Sequence, residues 1–222
     1  MNADVELVQK EYGLVLTDGK LELFGDYSKL LKRIKPSVLY KELLIRAVKI
    51  KGKEDLKVLD ATAGLGEDSF LLAAAGWDVV LCEYNETIYA LLKDTIERSR
   101  SIEDMESVAK RMHCVCMDGK EACETIGAKE EFLEIGSFQP DVVFLDPMFP
   151  EKTKNSLTNK KLQLFQKLES PCRTEEELFS AALMTGAKKV VAKRPLKGAY
   201  LASKKPSHSI FGKTIRYDCY VL

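Results

Sequence analysis

The alternation of short apolar runs with helical stretches predicts an α/β fold for this 222-residue chain. The expected architecture is a doubly wound, mostly parallel sheet of seven strands within residues 53–222, with residues 1–52 as a small hairpin-and-helix extension. Three observations carry this. From Lys57 onward strands and helices take turns, as parallel βαβ units require. The first of these strands runs straight into a glycine turn. The last two strands have no helix between them, which places an antiparallel edge at the end of the sheet.

In the extension, "LVLTDGKLEL" is a pair of alternating runs around Asp18-Gly19, a hairpin signal. Pro36 divides the basic stretch that follows, "KLLKRIKPSVLYKELLIRAVKIKG". Its second part reads as one amphipathic helix with Leu39, Leu43, Leu44 and Ala47 inward and Gly52 as its stop.

In the main unit "KVLDATAG" is the first strand with its glycine turn, "EDSFLLAAAG" a helix ending at Gly76, and "WDVVLCEY" the second strand. "NETIYALLKDTIERSR" is a helix capped by Asn85. "HCVCMD" and "DVVFLDP" are the third and fourth strands. "TEEELFSAALMTGA" is a helix with Thr174 as cap and Glu177 completing a capping box. "KKVVAKRP" is the fifth strand, and "SIFGKTIRYDCYVL" supplies the last two.

Composition narrows the function classes. With 45% hydrophobic and 31% charged residues the chain has the make-up of a soluble globule, and its formal net charge is zero. A nucleic-acid surface would therefore be a local patch. "MNADVELVQKEYG" lacks the basic start and apolar run of a signal peptide, and no apolar run is long enough to span a membrane. A cytoplasmic protein is expected, with Cys82, Cys114, Cys116, Cys123, Cys172 and Cys219 as thiols. Cys114 and Cys116 have no second ligand pair at zinc-site spacing, so no metal is expected.

Gly64 and Gly66 in "LDATAGLGEDSF" sit between a strand and a helix, at the carboxyl edge where doubly wound sheets bind ligands. Position 69, where a dinucleotide fingerprint has its third glycine, is Ser. Asp60, Glu67 and Asp68 crowd the loop with negative charge. That charge disfavours a diphosphate and tolerates the ammonium and sulfonium of S-adenosylmethionine. Glu83 ends the second strand at the interval where an acidic residue meets ribose hydroxyls. Asp118 and Gly119 end the third, where Asp118 is placed to accept from an adenine amine or to serve as a turn residue.

"DVVFLDPMFP" delivers Asp146, the rigid Pro147 and Pro150, and the ring of Phe149 to the same edge, beside the first strand. An exocyclic amine on a planar base is a poor nucleophile. Acceptance of its hydrogen bond by Asp146, or by a backbone carbonyl of the turn, favours the pyramidal nitrogen of the transition state, and stacking on Phe149 holds it for in-line attack.

"DATAGLGEDSF", "DVVFLDPMFP", "VVAKRP" and the "RYDCY" tail together resemble the small-subunit ribosomal RNA guanine-N2 methyltransferases of the J type. The resemblance runs from Leu14 to the C-terminus. It implies a Rossmann-like class I fold, S-adenosylmethionine as cofactor, ribosomal RNA as partner and a guanine amine as methyl acceptor. By position it places cofactor contacts on Glu67, Asp68, Glu83, Tyr84, Asp118, Gly119 and Asp146. The family usually has Arg at positions 67 and 84 and small hydroxyl residues at 118 and 119, where this chain has Glu, Tyr, Asp and Gly.

Asp146, Pro147 and Phe149 are thus the candidate catalytic residues. Asp60, Gly64, Gly66, Glu67, Asp68, Glu83, Tyr84, Asp118, Gly119 and Asp146 are the candidate cofactor site. Lys193 and Arg194, with the basic runs "EKTKNSLTNKK" and "KLLKRIK", are the candidate contacts to RNA phosphates. Methylation of a small-molecule or protein amine is the alternative within the same enzyme class. An NAD-type oxidoreductase and a non-catalytic binding module are further alternatives.

Overall fold

The computed structural model describes residues 5–147, 164 and 175–222. Seven strands form the main sheet: β4 (Lys57–Asp60), β5 (Asp78–Glu83), β6 (Met112–Cys116), β7 (Val142–Leu145), β8 (Lys189–Pro195), β9 (His208–Phe211) and β10 (Ile215–Val221). Their order is β6-β5-β4-β7-β8-β10-β9. β4 to β8 are mutually parallel, while β10 lies antiparallel to both β8 and β9. The order reverses beside β4, so β4 and β7 flank the switch point at which such sheets open a ligand crevice.

The central parallel strands β4, β5, β7 and β8 are largely buried on both faces, with Val142–Leu145 wholly enclosed, while the edge strand β6 exposes His113 and Cys116. On one face Val58, Phe144 and Val191 pack with α3 (Glu67–Ala74) and α2 (Leu43–Val48). On the other, Val143, Leu145, Val190 and Ala192 pack with α6 (Gly119–Gly127) and α7 (Glu175–Met184). Asn85 caps α4 (Glu86–Ser99), its side chain accepting from the N–H groups of Thr87 and Ile88. The expected cap at Thr174 lies outside the described residues.

The N-terminal hairpin forms as expected, β2 (Gly13–Thr17) against β3 (Glu22–Leu23), and β1 (Glu6–Lys10) adds a third antiparallel strand. The helix expected after Pro36 is instead two short ones. α1 (Pro36–Leu39) stops at Tyr40, and α2 restarts after Glu42, whose carboxylate accepts both an Nε and an Nη hydrogen bond from Arg33. α2 then ends at Val48, four residues before Gly52. Lys189, buried on β8, donates to the carbonyls of Ala47 and Lys49 and caps it there. α5 (Glu103–Ala109) lies between α4 and β6. Cys82, Cys114, Cys116, Cys123 and Cys219 are free thiols. Among the described residues no helix is long and apolar enough to cross a membrane, and no His, Cys, Asp or Glu cluster could hold a metal ion.

Candidate active site

The carboxyl ends of β4, β5, β6, β7 and β8 converge on one edge of the sheet and bring Asp60, Glu83, Asp118, Asp146 and Lys193 to it. The glycine loop, residues 61–66, folds with its amides turned inward. Thr62 N–H donates to Asp60 Oδ1, Ala63 N–H to the Cys82 carbonyl, Gly64 N–H to Glu83 Oε2, and Gly66 N–H to the Ala63 carbonyl. A dinucleotide loop offers such amides to a pyrophosphate. Here they are already committed, which argues against a diphosphate more directly than charge does.

Two of the three carboxylates expected to crowd the loop with free charge are placed otherwise. Asp60 is 1% exposed, accepts from Ser69 Oγ at 2.5 Å, and is a brace beneath the loop rather than a group on its surface. Burial pushes its carboxyl up to about 7. Asp68, on the first turn of α3, is paired with Lys193 at 2.6 Å. Glu67 beside it is exposed.

Gly66, at φ +75°, caps α3 in the left-handed conformation, and a Cβ there would lie 2.6 Å from the Tyr27 hydroxyl. Tyr27 is buried and stacked on Phe70, and its hydroxyl donates to the Leu65 carbonyl at 2.9 Å. The N-terminal extension thus holds the loop from above, a contribution that no local pattern around Tyr27 announces.

Glu83 is 4% exposed and accepts from Gly64 N–H at 3.1 Å and Asn85 N–H at 2.8 Å. Burial pushes its carboxyl up to about 7 against those hydrogen bonds. Tyr84 follows it and is exposed. Asp118 is the N-cap of α6, its Oδ1 accepting from Lys120 N–H and Glu121 N–H. Gly119 packs so closely against the loop that a Cβ would lie 2.0 Å from the Ala61 carbonyl oxygen. The third strand end is therefore locked to the first.

Asp146 is anchored by its backbone, N–H to Thr62 Oγ1 at 2.6 Å, and Pro147 behind it is buried. Phe149, Pro150 and the run "EKTKNSLTNKK" lie outside the described residues. The two residues expected to meet RNA phosphates are placed differently. Successive residues of a strand face opposite ways. Lys193 turns to the α3 face, 2.8 Å from Asp146 Oδ2. Arg194 turns to the α7 face, where only 5% of its side chain is exposed; Nε donates to the Ala199 carbonyl and Nη1 pairs with Glu175 at 3.3 Å. Arg194 is buried in a structural ion pair and Lys193 is engaged with Asp68 and Asp146, so the two do not present one surface to RNA phosphates as expected.

These residues fit S-adenosylmethionine. Gly64 and Gly66, both at positive φ, shape the tight loop, and Gly66 lets Tyr27 pack against it. Glu83 is a fixed carboxylate with lone pairs beyond its bonds to the backbone of Gly64, Tyr84 and Asn85, suited to ribose hydroxyls. The remaining donor set is acidic, suited to a ligand carrying cationic groups.

The family model described as "Putative SAM-dependent methyltransferase" matches residues 2–222. The ribosomal RNA small subunit methyltransferase J of Thioalkalivibrio sulfidiphilus is 40% identical over 183 residues, spanning 82% of this chain and 69% of that one. Its namesake in Saccharophagus degradans is 37% identical over 185 residues, spanning 81% and 67%. Among solved structures, a SAM-dependent methyltransferase of Neisseria gonorrhoeae superposes with a TM-score of 0.73 at 25% identity, covering 100% of this chain and 84% of its own. With its seven-stranded sheet, its inward-turned glycine loop and these likenesses, the chain belongs to the SAM-dependent methyltransferase family and uses S-adenosylmethionine.

Proposed function

We propose that the chain methylates the exocyclic N2 amine of a guanine in small-subunit ribosomal RNA. The observation that carries this is Asp146. It stands at the switch point of the sheet, anchored to the glycine loop through Thr62 and followed by the buried Pro147. The names of the relatives support RNA as the substrate class.

Bound S-adenosylmethionine supplies an electrophilic methyl group. In this reading Glu83 accepts from its ribose hydroxyls, Asp118 accepts from the adenine amine, and Glu67, Asp68, Tyr84 and Gly119 line the rest of its site. Asp146 accepts a hydrogen bond from the guanine amine, Pro147 stiffens the turn, and Phe149 stacks on the base. Residues 53–222 are the methyltransferase domain, and residues 1–52 an extension that steadies its loop through Tyr27. Lys29, Lys32, Lys35 and Lys41 are exposed on that extension. They offer the phosphate contacts that Lys193 and Arg194 do not. Function in the cytoplasm accords with an RNA substrate.

The test is transfer of labelled methyl to small-subunit RNA from cells lacking this protein, with the labelled nucleoside identified by mass. N2-methylguanosine is expected. Asp146→Ala is expected to lose about 100- to 10,000-fold in rate while melting as the wild type does. Label on a protein or small amine in place of RNA would overturn the substrate, and undiminished turnover by Asp146→Ala would overturn the residue.

A further inference from the structure

Lys193 lies between two carboxylates, Nζ 2.6 Å from Asp68 Oδ2 and 2.8 Å from Asp146 Oδ2. The sheet register brings this about. Leu145 pairs with Ala192, so the next residue of each strand emerges beside the other. Phe144 and Val191, two positions earlier, share one core cluster, which puts Asp146 and Lys193 on the same face. Only 24% of the Lys193 side chain is exposed. A lysine that serves RNA phosphates stands in solvent on a mobile stem with its donors uncommitted. Lys193 has two of its three donors engaged and its stem enclosed.

Resting on the reading of Asp146 as acceptor for the amine, we propose that Lys193 is a positioning residue for methyl transfer. It fixes Oδ2 of Asp146, leaves Oδ1 as the acceptor, and keeps that carboxylate ionised until it takes the proton released after methyl transfer. The need for ionisation follows from the chemistry. The amine lone pair forms the new nitrogen–carbon bond while the methyl–sulfur bond breaks with its electron pair retained on sulfur. The nitrogen then carries a positive charge and releases one proton, which the Asp146 carboxylate takes and passes to water.

The surroundings make that ionisation costly. Burial pushes the Asp146 carboxyl up, Lys193 is the strongest influence drawing it down, Asp68 pushes it up and Arg194 draws it down. The charge of Asp146 also acts on Asp60 nearby. On the neighbouring strand Tyr217 pairs across from Lys193 and is itself held above its ordinary value, chiefly by burial, with Arg33 among the charges that act on it. Burial alone would lower Lys193, yet Asp146 and Asp68 together hold it above the usual ammonium range. It stays a cation wherever the enzyme works.

The experiment is the pH dependence of kcat/KM for RNA methylation by the wild type, Lys193→Met, Lys193→Arg and Asp68→Asn. Salt dependence of RNA binding and thermal melting are measured on each. Lys193→Met is expected to move the acid limb upward by about one unit or more, a tenfold loss on that limb that higher pH restores. Lys193→Arg keeps the charge and should leave the limb near the wild-type position. Asp68→Asn removes a like charge and frees the ammonium for Asp146 alone, so its limb should move downward. That opposite sign keeps the proposal testable if Lys193→Met does not fold. An unmoved limb in Lys193→Met or Asp68→Asn would overturn it, as would a raised KM for RNA with a shallower salt slope in Lys193→Met, which marks a phosphate contact. Absence of RNA methylation by the wild type would instead remove the underlying reading of the substrate.

Discussion

The Tyr27 hydroxyl donates to the Leu65 carbonyl across a separation of 38 residues, and its ring stacks on Phe70 with centroids 4.5 Å apart. One residue of the extension thereby fixes both the crest of the glycine loop and the helix behind it. Tyr27→Phe keeps the stacking and deletes the bond, leaving a partly buried carbonyl without its donor. A loss of about 1–3 kcal/mol in urea unfolding is expected, together with a raised KM for S-adenosylmethionine and an unchanged KM for RNA. Equal change in both KM values would show that Tyr27 does not act through the loop.

Gly119 makes the corresponding contact from the far side. With Ala61 backbone only 2.0 Å from where a Cβ would stand, there is no flexible side chain to yield, and the first turn of α6 must move. Gly119→Ala is expected to cost about 1–3 kcal/mol. Asp118 should shift with the turn, so calorimetry should show weaker binding of S-adenosylmethionine. Wild-type affinity in a destabilised variant would separate the packing from the binding site.

Asp60 makes a pH prediction whose sign is fixed by its environment. Its folded-state pKa, about 7, lies above the ordinary value of 3.8, so the native state holds a proton that the unfolded chain has released. The stability this gives is fully present below pH 4 and is lost as pH rises through about 7. Asp60→Asn removes the dependence. The stability of the variant relative to wild type should therefore grow between pH 5 and pH 8, by on the order of a few kcal/mol. A constant difference across that range in urea melts would show that Asp60 is ionised throughout. Glu83, also pushed up to about 7, titrates in the same window and is common to both proteins.

Much of this fold could be read from apolar runs and turn chemistry, because those are local. The parallel strands, the Asn85 cap and the antiparallel edge follow from short windows. What sequence left open depended on burial. Asp60, Glu67 and Asp68 look alike as letters, yet one is enclosed, one is exposed and one is paired with a lysine 125 positions away. Two signals were nevertheless legible. "DGKE" at Asp118–Glu121 is a capping-box pattern and marks the start of α6. The adjacent Lys193 and Arg194 on a strand buried on both faces cannot serve one surface, since period two sends them to opposite sides. The break between α1 and α2 had no such signal. It follows from Arg33 holding Glu42, and the early end of α2 from Lys189, distant in sequence, capping its carbonyls.

That division between Lys193 and Arg194 leads to a test of where RNA binds. Arg194 is enclosed with Glu175 and the Ala199 carbonyl, so Arg194→Met should lower stability by about 1.5–3 kcal/mol. The salt slope of RNA binding should stay as it is. Lys32 and Lys35 are exposed on the extension, close in sequence to Arg33, whose charge acts on Asp68 and Tyr217 at the site edge. Replacing both by Ala should leave urea unfolding within about 0.5 kcal/mol of wild type. It should also make the slope of log affinity against log salt shallower by about two, one for each phosphate left without its ammonium. Filter binding across about 50 to 200 mM salt reads both variants against wild type. If the slope falls with Arg194→Met and not with the lysine pair, RNA lies across the α7 face and the extension faces bulk solvent.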